Sequence, residues 1–264
     1  MPGATRSRGP RGGVRLTDRD RELLGFAAEH RLVLERQVAR LVGSSVDAAA
    51  ARLRDLDAAG YLVRRQLFST ESAYCQIRSK GLAAIASDLR APRLKLADYR
   101  HDVGVAWLWL AAYRGTFGAG VEVLGERRLR SHDAALRGLD EPYAVYLGGV
   151  DRRGDARLHY PDLLLIDPHG RRLALELELS FKEPSRRERI LSGYAADPRV
   201  DGVLYLVEDD TRGRAIGRAI TATARRTYLL DRLHLQLIKP IEVASTHRGG
   251  RDGRVREPAR VAAP

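Results

Sequence analysis

Residues 173–181 alternate without a fault: Leu173, Leu175, Leu177, Leu179 and Phe181 fall on one side, Ala174, Glu176, Glu178 and Ser180 on the other. A period of two is the period of a strand, so one face of this segment is apolar and the other sets two carboxylates side by side. The preceding run "RLHYPDLLLID", joined through the turn "PHGR", reads as its antiparallel partner, and the pair as a hairpin of long strands. That pairing brings Asp162 opposite Glu176 and Glu178. Three carboxylates within a few ångströms repel one another unless a cation or solvent relieves them. Two glutamates at alternate positions also suit a solvated outer face, and "PD" is a common way into a strand.

The elements around this hairpin define a domain. The helix Tyr99 to Tyr113 is apolar on nearly every side, with Trp107 and Trp109, and is expected to lie buried against a sheet. "GTFGAG" breaks it, and "VEVLGERRLR" reads as a first strand. After the hairpin comes the helix "EPSRRERILSGYAAD", with Pro184 near its start and Ser185 and Glu188 as a capping pair. A buried-type strand "DGVLYLVED", a basic helix from about Arg212 to Tyr228 and a last strand "HLQLIKP" complete an αβββαβ order with an αβ extension.

Ahead of it lies a smaller unit. Thr17 and Asp20 form a capping-box-like start, followed by Leu23, Leu24, Ala27 and Ala28 at helical spacing. A second helix runs from about Glu35 to Val42 and stops at Gly43; Ser45 caps a third, with Val46, Ala49, Leu53 and Leu56 as its apolar stripe. Gly60 ends that helix, and "YLVRRQLF", "STES" and "AYCQI" follow as a β-hairpin. Three short helices closed by a hairpin is the order of a winged helix-turn-helix, whose third helix enters the major groove of double-stranded DNA. Arg52 and Arg54 on that helix, with Arg64, Arg65 and Gln66 on the hairpin, are the expected DNA contacts. A small helical subdomain packed on a protein partner has the same order. A helix from about Ser79 to Leu89 ends this unit. The expected division is a basic arm 1–14, a DNA-binding unit 15–90, a linker 91–98 around Pro92, the α/β unit 99–245 and a basic tail 246–264.

The formal charge of +12 points toward nucleic acid. Its distribution tempers this: residues 1–15 and 248–264 hold +7 of it, and 42 of the 46 basic residues are arginine, as expected of a GC-rich genome. The single cysteine, Cys75, cannot form an internal disulfide; with no signal segment, a cytoplasmic location is expected. The longest apolar stretch, Val103 to Tyr113, is about half of a membrane span, so no membrane association is expected.

The αβββαβ order with Pro161 and Asp162, a gap of thirteen residues and then Glu176 to Glu178 resembles the PD-(D/E)XK nuclease superfamily. The resemblance implies a restriction-endonuclease-like α+β fold. It also implies Mg²⁺ held by Asp162, Glu176 and the Leu177 carbonyl, polarising a phosphate and activating water. Glu178 stands where a lysine is expected and would position that water. Lys182 lies four residues on, roughly 13 Å away at strand rise. A narrower resemblance spans about residues 15–210: "YRHDVGVAWLWLAAY", "GERRLR", "YPDLLLI" and "LALELELS", then an arginine-rich helix ending in Tyr194. It is to the bacterial replication-relaxation family of plasmids and integrative elements. That family usually carries a lysine in the helix before the tyrosine; here "RERILSGY" has none.

Of the remaining candidates, Arg186, Arg187 and Arg189 suit a phosphate backbone or a solvated face. His101 and Asp102 point about 100° apart on one helix and read as a cap or tether rather than a metal pair. Glu126 is expected to pair with Arg127. The functional expectation is a DNA-binding accessory protein of a mobile element, acting in replication, mobilisation or transcriptional control, with a degenerate nuclease-like domain. A relaxase or replication initiator is its expected partner, and a second copy a possible one. The alternative is a Mg²⁺-dependent endonuclease or nickase using Asp162, Glu176 and Glu178.

Overall fold

A computed structural model describes residues 14–69, 71–136 and 142–241; nearly all of the expected basic arm and the whole basic tail lie outside these residues. The first helix, α1 (Asp18–Glu29), opens on the expected capping box: Thr17 accepts from the Asp20 amide, and the Asp20 carboxylate accepts from the Thr17 amide at 2.8 Å. Helix α2 (Glu35–Val42) ends at Gly43, whose φ of +64° is the left-handed geometry that glycine tolerates. Helix α3 (Val46–Ala58) is capped by Ser45 and buries Ala49, Ala50, Leu53 and Leu56. Val46, expected in that stripe, is 45% exposed; Ala50 takes the inward place.

Strands β2 (Leu62–Arg65) and β3 (Tyr74–Ile77) form the expected hairpin. A short strand not foreseen from sequence, β1 (Val33–Leu34), adds to it in the order β1-β3-β2. Helix α4 spans only Ser79–Ala84. It stops five residues early because Ala86 turns left-handed and the Ser87 amide bonds back to the Leu82 carbonyl, a helix-terminating closure.

Helix α5 (Tyr99–Tyr113) lies between the N-terminal helices and a five-stranded mixed sheet. Gly104 permits the close approach: a Cβ there would collide with the side chains of Leu177 and Ile241. The sheet runs β10-β9-β8-β7-β4. Its strands are β4 (Glu122–Gly125), β7 (Leu163–Ile166), β8 (Arg172–Leu177), β9 (Gly202–Glu208) and β10 (Leu233–Ile238). β8, β9 and β10 are mutually parallel, while β7 is antiparallel to both β8 and β4. Leu163, Leu165, Leu175, Leu177, Leu204 and Leu206 share one apolar cluster with α1–α3 and with Trp109 and Leu110 of α5, so the core is continuous from the N-terminal helices into the sheet. Ala174, Val203, Tyr205 and Val207 pack instead under α7 (Pro184–Ala196) and α8 (Thr211–Arg226).

Several sequence expectations shift. "GERRLR" is the start of a helix, α6 (Glu126–Ala135), because the strand stops at Gly125. The run "RLHYPDLLLID" is not one strand. Its first part, β6 (Ala156–His159), pairs with an unforeseen β5 (Val145–Val150) in a separate two-stranded sheet, and β7 begins only after Pro161, which has no N–H to continue a ladder. The hairpin strands are correspondingly short. Strand β8 ends at Leu177, and the chain leaves the sheet, so Phe181 is 55% exposed instead of facing the core. The cap of α7 is Glu183, which accepts from the Ser185 and Arg186 amides, rather than a Ser185–Glu188 pair. None of the described helices is long and apolar enough to cross a membrane.

Candidate functional site

The register Leu163↔Leu175 sets Asp162, the residue entering β7, beside Glu176 and Leu177. Asp162 Oδ2 accepts from the Leu177 amide at 2.8 Å and lies 3.1 Å from His101 Nε2 of α5. Under α7, Glu176 is 3% exposed. Its Oε1 meets His159 Nε2 at 2.6 Å and accepts from the Tyr194 hydroxyl at 2.5 Å. Glu178 is buried too, and Lys182 forms an ion pair with it. The glutamate face is therefore interior, which excludes a solvated outer face for these two residues.

Lys182 departs from expectation in a specific way. A strand continuing to residue 182 would have carried it roughly 13 Å away; because the strand ends at Leu177, the chain folds back and returns the ammonium to Glu178. Burial opposes that ammonium, but the charges of Glu178 and Glu176 hold its pKa above the ordinary lysine value. Burial raises the Glu178 carboxyl, and Lys182 only partly offsets this. Burial likewise works against the His101 imidazolium, yet the charge and hydrogen bond of Asp162 lift it from 6.5 to about 9. Reciprocally, His101 holds Asp162 low against its own burial. Burial and the Glu176 charge push the Tyr194 phenol well up, so it stays a neutral donor.

Around this cluster the pairings differ from those expected. His101 and Asp102 do diverge, but His101 belongs to the cluster. Asp102 instead tethers α5 to the N-terminal helices through Arg31 at 3.2 Å, and Arg31 also binds Glu126 at 2.7 Å. Glu126 pairs with Arg31 and Arg130, not with Arg127. Arg127 donates to the carbonyls of Ala28 and His30. His101, His159 and Arg31 carry no local sequence signal as site members, since their partners lie 61, 17 and 71 or more residues away.

Asp162, Glu176 and the Leu177 carbonyl are hard oxygen donors of the right kind for Mg²⁺. Their arrangement does not suit the ion. Asp162 Oδ2 and Glu176 Oε1 are engaged by His101, the Leu177 amide, His159 and Tyr194. Among the described residues no three His, Cys, Asp or Glu side chains converge as metal ligands would.

The expected DNA contacts divide into two kinds. Arg52 is committed to Asp20 through two bonds of 2.7 and 2.6 Å, and Arg64 to Glu35 at 2.5 Å. Gln66 donates to the Phe68 and Glu71 carbonyls and shapes the hairpin turn. Arg187 bonds Thr223 and the Lys182 carbonyl. The side chains of Arg54, Arg65 and Arg186, by contrast, are exposed and meet no hydrogen-bond or ion-pair partner among the described residues; Arg189 is exposed near Glu183. Arg186 and Arg189 sit on α7, across the sheet from α5 and the N-terminal helices, so they do not share a surface with Arg54 and Arg65. Neither a protein-family model, nor a curated protein, nor a solved structure matches this chain.

Proposed function

We propose that this protein is a DNA-binding accessory factor of a mobile genetic element: a winged helix-turn-helix joined to a nuclease-like domain of the PD-(D/E)XK type that no longer cleaves. The observation that carries this reading is the exposed pair Arg54 and Arg65, on α3 and on the hairpin, left without carboxylate partners where a third helix would meet the major groove and a wing the backbone. In the nuclease-like domain each carboxylate is answered by a protein group, which favours a structural or partner-binding role over hydrolysis. The mobile-element assignment, with a relaxase or replication initiator as partner and a second copy as a dimer mate, rests on the resemblance to the replication-relaxation family.

Fluorescence anisotropy with a labelled random duplex tests this reading. The expected result is an affinity that falls steeply between about 50 and 200 mM salt, with Arg54→Ala/Arg65→Ala reducing the log–log slope by about 2. Absence of any salt slope in the wild type means that the protein does not bind DNA. One observation favours a second reading, a Mg²⁺-dependent nickase: Lys182 returns to the carboxylates, so an Asp, Glu and Lys stand together after all. Nicking of supercoiled plasmid by the wild type with Mg²⁺, lost in Asp162→Ala, would replace the accessory reading with that one.

A further inference from the structure

After α4, and before the 3-10 turn Leu96–Asp98 that leads into α5, the chain runs alongside α6 without regular secondary structure. Two bonds fasten it there: Ser131 donates to Asp88 at 3.0 Å, and Arg127 to the Arg90 carbonyl. The two walls enclose an open groove of about 660 Å³, lined by six cationic side chains and a single carboxylate, Asp88. The side chains of Arg90, Arg93 and Lys95 are exposed and meet no hydrogen-bond or ion-pair partner among the described residues. Arg130, opposite them, lies over the Tyr160 ring at 4.3 Å and pairs with Glu126 while remaining half exposed.

The groove is not isolated. Ala91 and Pro92 line it on one side and, on the other, line a depression shared with Val63, Gln76, Arg78 and Lys80 at the base of the hairpin. A basic surface therefore passes from the hairpin over the connector to α6. Its only larger aliphatic lining residue, Leu89, is buried, so an apolar ligand would find little to cover. Arg90 to Arg93 and Arg93 to Lys95 span at most roughly 11 and 7 Å along the chain. One DNA strand carries a phosphate every 3.4 Å or so of axis, so this reach admits contacts to neighbouring phosphates of one strand.

We infer that the groove between residues 88–95 and α6 holds the sugar–phosphate backbone of DNA, continuing the contact that begins at the hairpin. This rests on the DNA-binding reading above and adds a second surface to it. Arginines and a lysine against phosphate supply affinity and register without reading bases.

The test is the variant Arg90→Ala/Arg93→Ala/Lys95→Ala, measured by anisotropy on a random duplex of about three helical turns. The three side chains are exposed and unpartnered, so the thermal midpoint should match the wild type. The expected result is a salt slope shallower by about 2 to 3 and an affinity at least about tenfold weaker. Arg90→Lys/Arg93→Lys, which keeps the charges, should retain the wild-type slope. If the triple variant keeps wild-type slope and affinity while Arg54→Ala/Arg65→Ala loses them, the groove is not a DNA surface and the DNA-binding reading stands. If the wild type itself lacks a salt slope, both fall.

Discussion

At the ends of β7 and β8, Asp162, Glu176 and Glu178 each meet a partner from elsewhere in the chain: His101 from α5, His159 and Tyr194 from β6 and α7, Lys182 from the turn after β8. Across α3, the hairpin and the connector, the side chains of Arg54, Arg65, Arg90, Arg93 and Lys95 meet none among the described residues. The physics of burial separates the two regions. A buried charge without a partner costs several kcal/mol, so a folded chain must answer it internally. An exposed cation costs almost nothing to leave alone and remains available to an external anion. Within the N-terminal unit the same rule sorts neighbours: Arg52 is held by buried Asp20, while Arg54, two residues on, is free.

Breaking the internal pairing of the cluster should have the largest effect. Glu176→Ala strands the buried Tyr194 hydroxyl and the His159 ring and is expected to lower unfolding free energy by about 3 to 5 kcal/mol in urea titrations; a loss under about 1 kcal/mol means these contacts do not organise the fold. Lys182→Met leaves Glu178 buried without its cation. A loss of about 2 kcal/mol at neutral pH is expected, shrinking on acidification as the carboxyl takes up a proton. A loss that does not respond to pH would show that Lys182 acts through packing.

The N-terminal pair sharpens the contrast. Arg52→Ala should cost about 1 to 3 kcal/mol by orphaning Asp20, whereas Arg54→Ala should leave stability within about 0.5 kcal/mol and weaken DNA binding. Equal stability losses would erase the distinction between the two regions.

A further prediction concerns pH. The folded pKa of His101 lies near 9 against 6.5. Its contribution is therefore complete below 6.5 and lost as pH rises through about 9. The pair also needs Asp162 ionised; that carboxyl is held low, so its contribution is lost only as pH falls through a value below 3.8. Urea midpoints should decline between pH 6.5 and 9 in the wild type, and His101→Gln should flatten that decline. A wild-type profile flat over this range means that His101 and Asp162 are not paired.

Much of the frame was legible because it rests on local rules. The capping box at Thr17, the left-handed stop at Gly43 and the Asp162–Glu176 adjacency follow from spacing and period alone. Other features were not. β5 offered no clean alternation, and its two glycines adopt positive φ. "GERRLR" mixes charge and leucine without a decisive period, and only the pairing of β4 with β7 shows where the strand gives way to a helix.

By itself the sequence determined an α+β chain in which most of the helices and strands follow in a set order, with two glutamates forced onto one strand face, because backbone periodicity and turn chemistry act over a few residues. Tertiary structure alone decided that this face would be interior and which cations would stay free. Burial and charge pairing depend on side chains brought together from up to about a hundred residues apart, as Arg128 and Glu29 are, and no local pattern carries that information.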